Sequence, residues 1–173
     1  MVVLPSRSGI DLGSERLRHR FTIGWALMTD IFVYGTLQYP EVLRALIGRV
    51  PDLTPATLTG YRRYCVSQQV FPAIIPGEAD DSVKGYTLYG LNAHEVKVMD
   101  EFESEEYVKT AGAVLNAETG RPESVLYYVW HPSLESQLER RSWSPEAFRE
   151  QHLQAYTKMC IEFAAELRSR AQW

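Results

Sequence analysis

The sequence predicts an α+β fold: a small mixed, largely antiparallel β-barrel with flanking helices and a long C-terminal helix. Three observations lead there. Short β-branched and aromatic runs broken by Gly and Pro fill most of residues 31 to 130, one helix with a clear start signal lies among them, and an amphipathic segment closes the chain.

Ile31-Phe32-Val33-Tyr34 is expected to be a strand that stops at Gly35. Pro40 then fits the first turn of a helix, Val42, Leu43, Leu46 and Ile47 give it an apolar face, and Gly48 supplies the stop. Leu58 to Val66 and Val70 to Ile75 read as two strands, and Val83, Tyr86, Leu88 and Tyr89 mark another after the Pro76-Gly77 break. Leu91 to Phe102 is the clearest helix, because Asn92 and Glu95 have the spacing of a capping box and Leu91 and Val96 that of a hydrophobic staple. Tyr107 to Leu115 and Val125 to Trp130 read as strands joined through the polar Asn116 to Gly120 segment, a connection of hairpin length. The last helix is expected to start at Ser144-Pro145, with Trp143 and Phe148 as staple and Phe148, His152, Tyr156, Met159, Phe163 and Leu167 along one side.

The chain has 173 residues, 45% hydrophobic and 23% charged, which suits one soluble domain with a continuous core. That domain is expected to cover residues 28 to 173. Residues 1 to 27 read as an N-terminal extension, disordered or not native, because the core pattern begins only at Ile31 and Asp11 and Glu15 spoil a targeting peptide. A net charge of −4 without a Lys/Arg run excludes nucleic acid as a partner, and no apolar stretch approaches the roughly 20 residues that span a membrane. Cys65 and Cys160 form no Cys-x-x-Cys pair, so neither a disulfide framework nor a thiolate metal site is expected, and a reducing cytoplasmic compartment fits.

The common nucleophile, phosphate-loop, dinucleotide and zinc motifs are absent, and His19, His94, His131 and His152 have no metal-ligand spacing. Carboxylates remain. On the helix after Asn92, Val96, Val98, Met99 and Phe102 define the buried arc; Lys97, Asp100 and Glu101 fall on the solvated arc, whereas Glu103 falls between Met99 and Val96. A carboxyl turned inward loses hydration, so its pKa rises from about 4.3 toward the range useful to a general acid/base. The alternative is a helix that has ended at Phe102, with Glu103 in a solvated acidic loop. A second feature is Tyr34-Gly35-Thr36-Leu37, where a glycine turn exposes successive backbone N–H groups that can hold an anion or a developing oxyanion. Its alternative is an ordinary strand-to-helix corner using Gly for positive φ.

Together these segments resemble the γ-glutamylcyclotransferase-like superfamily, in particular its avirulence-induced-gene-like branch. Phe32-Val33-Tyr34-Gly35-Thr36-Leu37 looks like the family's Tyr-Gly-Thr-Leu loop, and Phe71-Pro72-Ala73-Ile74 looks like its Tyr-Pro-Ala-Ile strand. Val83-Lys84-Gly85-Tyr86 matches the Val-x-Gly strand, and Met99-Asp100-Glu101-Phe102-Glu103 with Tyr107 matches the Leu-Asp-x-Phe-Glu segment followed by Tyr. Trp143-Ser144-Pro145 to Tyr156 is similar to the branch's C-terminal helix, while Phe71 in place of Tyr and Lys109 in place of Arg are departures. The resemblance implies a γ-glutamylcyclotransferase-like fold and a cofactor-free reaction on a small-molecule γ-glutamyl substrate, whose own α-amine attacks its γ-carbonyl to form 5-oxoproline. Glu103 would be the acid/base, and the amides of Gly35, Thr36 and Leu37 would hold substrate and carbonyl oxygen. Tyr34 and Tyr107 would line the cavity. Tyr127 and Tyr128 alternate across a strand, so one hydroxyl turns inward, with Tyr128 as the working assignment. Two alternatives stay open: a non-catalytic small-ligand-binding or regulatory module of the same fold, and a cyclotransferase for a specialised γ-glutamyl amine.

Overall fold

The computed structural model describes residues 28–170, so the expected extension over residues 1 to 27 lies outside the described residues. The strands are β1 (Thr29–Val33), β2 (Leu53–Thr59), β3 (Tyr61–Val66), β4 (Pro72–Pro76), β5 (Ser82–Leu91), β6 (Tyr107–Asn116), β7 (Pro122–Trp130) and the short β8 (Leu138–Glu139). Helices α1 (Pro40–Ile47), α2 (Ala93–Glu103), α3 (Pro145–Gln151) and α4 (Leu153–Arg170) flank them. Five strands close a barrel in the order β1-β5-β2-β6-β7, and β4, β3 and β8 form a second sheet. All barrel pairings are antiparallel except the parallel contact of β1 with β7, where Ile31 faces Leu126. The expected mixed, largely antiparallel barrel is therefore the observed fold.

The alternation of each strand divides the core. Phe32, Ala56, Leu58, Val83, Val114, Val125 and Tyr127 come from all five barrel strands and pack together. Ile31, Leu88 and Leu91 point the other way and meet Val42, Leu43 and Leu46 of α1, Val98 and Met99 of α2, and Cys160 and Leu167 of α4. Each such large side chain contributes about 1.5–3 kcal/mol on leaving water. The capping box of α2 is present, with Glu95 N donating to Asn92 Oδ1 and Asn92 N donating to Glu95 Oε2, both at 2.9 Å.

Three sequence expectations need correction. Leu58 to Val66 is not one strand: Gly60, at φ +77°, turns the chain and sends β3 into the second sheet. The long C-terminal helix is present as α4, but the Ser144-Pro145 start belongs to the separate α3, and the helical backbone breaks at His152 (φ −127°, ψ −23°). Phe148 of α3 stacks on Tyr39 with ring centres 5.2 Å apart, while Tyr156 of α4 reaches a cleft beside β1; the break lets each helix dock on its own anchor. A one-turn 3-10 helix, Thr36–Gln38, precedes α1 where a simple turn was expected.

Candidate active site

β1 delivers the chain to Gly35 at the mouth of the barrel. A Cβ there would lie 2.9 Å from Pro72 Cγ and 3.0 Å from Pro72 Cδ, so β4 packs directly on this glycine. The expected positive φ is not found; φ is −121°, and close approach rather than left-handed geometry requires the glycine. The 3-10 turn then begins: Gln38 N donates to Gly35 O at 3.2 Å and Tyr39 N to Thr36 O at 3.3 Å. Its leading amides have no acceptor behind them in the turn, and the N–H groups of Gly35, Thr36 and Leu37 have none among the described residues. Three successive donors are therefore left without an acceptor inside the turn.

This turn is one wall of a cleft enclosing about 510 Å³, its open mouth included. Tyr34, Gly35, Thr36, Leu37, Glu103, Tyr107 and Tyr128 all line it, together with Phe71, Pro72, Phe102, Glu106 and Tyr156. Glu103 is the last residue of α2, and the chain reverses immediately after it through Ser104 at φ +58°. That conformation is uncommon for a residue with a side chain and costs on the order of 1–3 kcal/mol. It turns the chain into β6, which returns Tyr107 to the same cleft. Loss of hydration, then the nearby charges of Glu106 and Asp100, push the Glu103 carboxyl up to about 8. Neither a hydrogen bond nor a nearby cation offsets that rise.

On the expected solvated arc Lys97 and Glu101 are exposed, and Asp100 keeps a partly exposed side chain. Asp100 does not line the cleft, but its carboxylate accepts from the cleft residue Tyr128, Oη, at 2.8 Å and from Lys109 Nζ at 2.6 Å. The tyrosine hydroxyls are similarly engaged: Tyr34 donates to the Tyr128 carbonyl at 2.7 Å and Tyr107 to the Pro72 carbonyl at 2.8 Å. Burial raises all three phenols above their ordinary pKa, which keeps them neutral. Tyr127 is on the opposite side of β7, with its hydroxyl donating to Tyr61 Oη at 3.3 Å. Tyr156 differs from the other cleft phenols, because it accepts from Thr36 Oγ1 at 3.3 Å and so retains its own proton to offer.

Among the described residues no three His, Cys, Asp or Glu side chains converge as a metal site, and no helix is long and apolar enough to cross a membrane. The profile of the family described as Gamma-glutamyl cyclotransferase, AIG2-like, matches residues 31–146. The chain belongs to this family. AIG2-like protein D of Arabidopsis thaliana is 35% identical over 145 residues, covering 83% of this chain and 94% of that protein. AIG2-like protein C of the same plant is 37% identical over 118 residues, covering 66% and 68%. A solution structure of an Arabidopsis thaliana protein superimposes with a TM-score of 0.60 at 23% identity, covering 85% of this chain and 88% of the other. A gamma-glutamyl cyclotransferase structure does so with a TM-score of 0.55 at 16% identity, covering 76% and 85%. At those identities the two structures show that the fold is shared.

The family match ends at residue 146 and so stops short of Tyr156, which sequence reasoning had assigned only to a helix face. A phenol within a largely apolar stripe was the available signal, since its hydroxyl must find a polar neighbour when buried. From sequence Phe71 and Pro72 read as strand residues, and Phe102 as core. Their place in the cleft follows from β4 crossing Gly35 and from α2 ending beside it, neither of which is local information.

Proposed function

We propose that the protein is a γ-glutamylcyclotransferase, converting a γ-glutamyl compound into 5-oxoproline and a free amine or amino acid, with Glu103 as general acid/base. The observation that carries this reading is a carboxyl that no hydrogen bond or nearby cation stabilises as the anion, pushed up to about 8, in the same cleft as three backbone amides without an acceptor.

The proton balance suits ring closure. A neutral Glu103 carboxyl with a neutral α-amine holds the same protons as a carboxylate with an ammonium, and the incoming ammonium favours the second pairing by its charge. Glu103 then takes a proton as the α-nitrogen forms its bond to the γ-carbonyl carbon. That proton goes to the departing nitrogen as the old C–N bond breaks, and the second proton that the α-nitrogen must lose passes through Glu103 in turn, so that the amine leaves as an ammonium and the carboxylate is restored. The Gly35, Thr36 and Leu37 amides hold the anionic part of the substrate and the negative charge that grows on the carbonyl oxygen. Nucleophile and electrophile belong to one molecule, so folding the substrate into its reactive shape supplies much of the acceleration, and no protein nucleophile is needed. Phe71, Phe102 and Tyr107 limit water around the reacting atoms. The buried, unpaired Cys65 and Cys160 are consistent with action in the reducing cytoplasm.

Incubation with γ-glutamyl amino acids, glutathione and γ-glutamyl amines, followed by detection of 5-oxoproline, tests the proposal. Stoichiometric 5-oxoproline from at least one class is expected. Saturable binding of these compounds without 5-oxoproline would instead identify a ligand-binding module.

A further inference from the structure

Arg63 of β3 does not line the cleft, yet it is bound to the turn that does. Its Nη1 donates to the Tyr34 carbonyl oxygen at 2.6 Å, and its guanidinium lies 5.2 Å from the centre of the Trp143 ring. Its situation differs from that of its neighbours. Arg62 is paired with Asp81 at 2.6 Å and Arg141 with Glu139 at 2.6 Å, both in exposed positions. Arg63 is partly buried, loses enough hydration to lower its pKa, and makes no ion pair with a described residue; Glu146 acts on it only from longer range. A cation withdrawn from water without a carboxylate is expensive, so the carbonyl it grips is the feature to explain.

That carbonyl belongs to the peptide whose nitrogen is Gly35. A peptide group is planar and trans, so its C=O and N–H point in opposite directions. With the Tyr34 oxygen held on the Arg63 side, the Gly35 N–H is directed away from Arg63, toward the side lined by the cleft. A charge-assisted hydrogen bond to the oxygen also withdraws electron density from the peptide and strengthens the N–H as a donor. We infer that Arg63 is a positioning residue: by gripping the Tyr34 carbonyl on the rear face of the Tyr34–Gly35 peptide, it fixes and polarises the Gly35 amide as a donor in the cleft. Trp143 and the Tyr34 oxygen hold the guanidinium from two directions, which restrains it where a lysine would be freer.

The kinetic part of this inference rests on the cyclotransferase reading, but the inference has a readout of its own. The Gly35 amide resonance of the substrate-free protein is followed by 15N–1H spectroscopy in Arg63→Met, Arg63→Lys and the control Arg62→Met. Arg63→Met is expected to shift the Gly35 resonance while Arg62→Met leaves it in place, and Arg63→Lys is expected to recover part of the parent position. With a γ-glutamyl substrate, kcat should fall about 10-fold in Arg63→Met, less in Arg63→Lys, with the Glu103 limb of the pH profile unmoved. A folded Arg63→Met protein with the parent's Gly35 resonance overturns the inference. Should that variant not fold, Arg63→Gln and Arg63→Lys replace it as an uncharged and charged pair, and identical Gly35 resonances in the two overturn the inference. A parent protein that forms no 5-oxoproline defeats the cyclotransferase reading alone, because the resonance still decides what Arg63 does.

Discussion

Helix α2 carries a withdrawn carboxylate at each end, and the two have opposite chemistry. Glu95, 4% exposed in the first turn, accepts from Arg49 Nη2 at 2.8 Å and from the Asn92 amide at 2.9 Å, and the Arg49 bond is the largest cause of its lowered pKa. For Glu103, in the last turn, no hydrogen bond or cation offsets the loss of hydration, which drives its pKa up to about 8. The helix dipole reinforces both tendencies, favouring negative charge at the amino end and opposing it at the carboxyl end. Withdrawal from water alone therefore does not mark a functional carboxyl. One that is satisfied serves the fold, and one left unsatisfied beside a cleft is free to exchange a proton.

The largest test of this contrast is Glu103→Gln, which preserves shape and removes proton exchange. Formation of 5-oxoproline should fall about 10²- to 10⁴-fold, while the melting temperature holds or rises, because an unpaired withdrawn acid has been replaced by a neutral amide. The exposed Glu101→Gln serves as the matched control, and equal rates in the two variants would remove Glu103 from the mechanism.

The pH dependence of stability should separate the two ends by sign. Folded protein keeps a proton on Glu103 that the unfolded chain releases, so stability falls as pH rises from about 4.5 to about 8 and then levels off. Across that window the advantage of Glu103→Gln over the parent should grow to a few kcal/mol at most. Glu95 behaves oppositely: its contribution is complete above the ordinary carboxylate pKa and is lost as acid titrates its lowered folded value. Denaturant titrations of parent, Glu95→Gln and Glu103→Gln between pH 4 and 9 check both slopes, and parallel curves would refute the contrast.

At neutral pH, Glu95→Gln should cost about 1–3 kcal/mol, through the charge-assisted Arg49 bonds and the weakened capping box, with the 5-oxoproline rate unchanged. A large fall in rate with little loss of stability would place Glu95, too, in the chemistry. The effect expected of Gly35→Ala is no larger: the added methyl meets Pro72 Cγ at 2.9 Å, so the proline ring or the turn must shift, at a cost of up to about 1–3 kcal/mol. Its signature is a rise in KM whose free-energy equivalent exceeds the loss of stability, and substrate affinity equal to the parent's would show that the close packing of this turn does not shape the site.

The sequence by itself determined the local pieces of this molecule. Asn92 and Glu95 announced the start of α2, Gly48 ended α1, and the apolar arc through Val96 and Met99 singled out Glu103, because capping and helical periodicity act within a few residues. Ordered motifs from Tyr34 to Tyr107 were also enough to indicate the family. Tertiary structure decided what those pieces became. The barrel order, with β5 between β1 and β2, and the parallel closure of β7 on β1 depend on pairings distant in sequence. Gly35 owes its necessity to Pro72, Asp100 is tied to Tyr128 and Lys109, and Tyr156 enters the site only because α4 restarts after His152. A local pattern can show that a carboxyl faces inward; whether a cation, a water-filled cleft or another chain segment meets it there is settled by packing between elements that the linear order keeps apart.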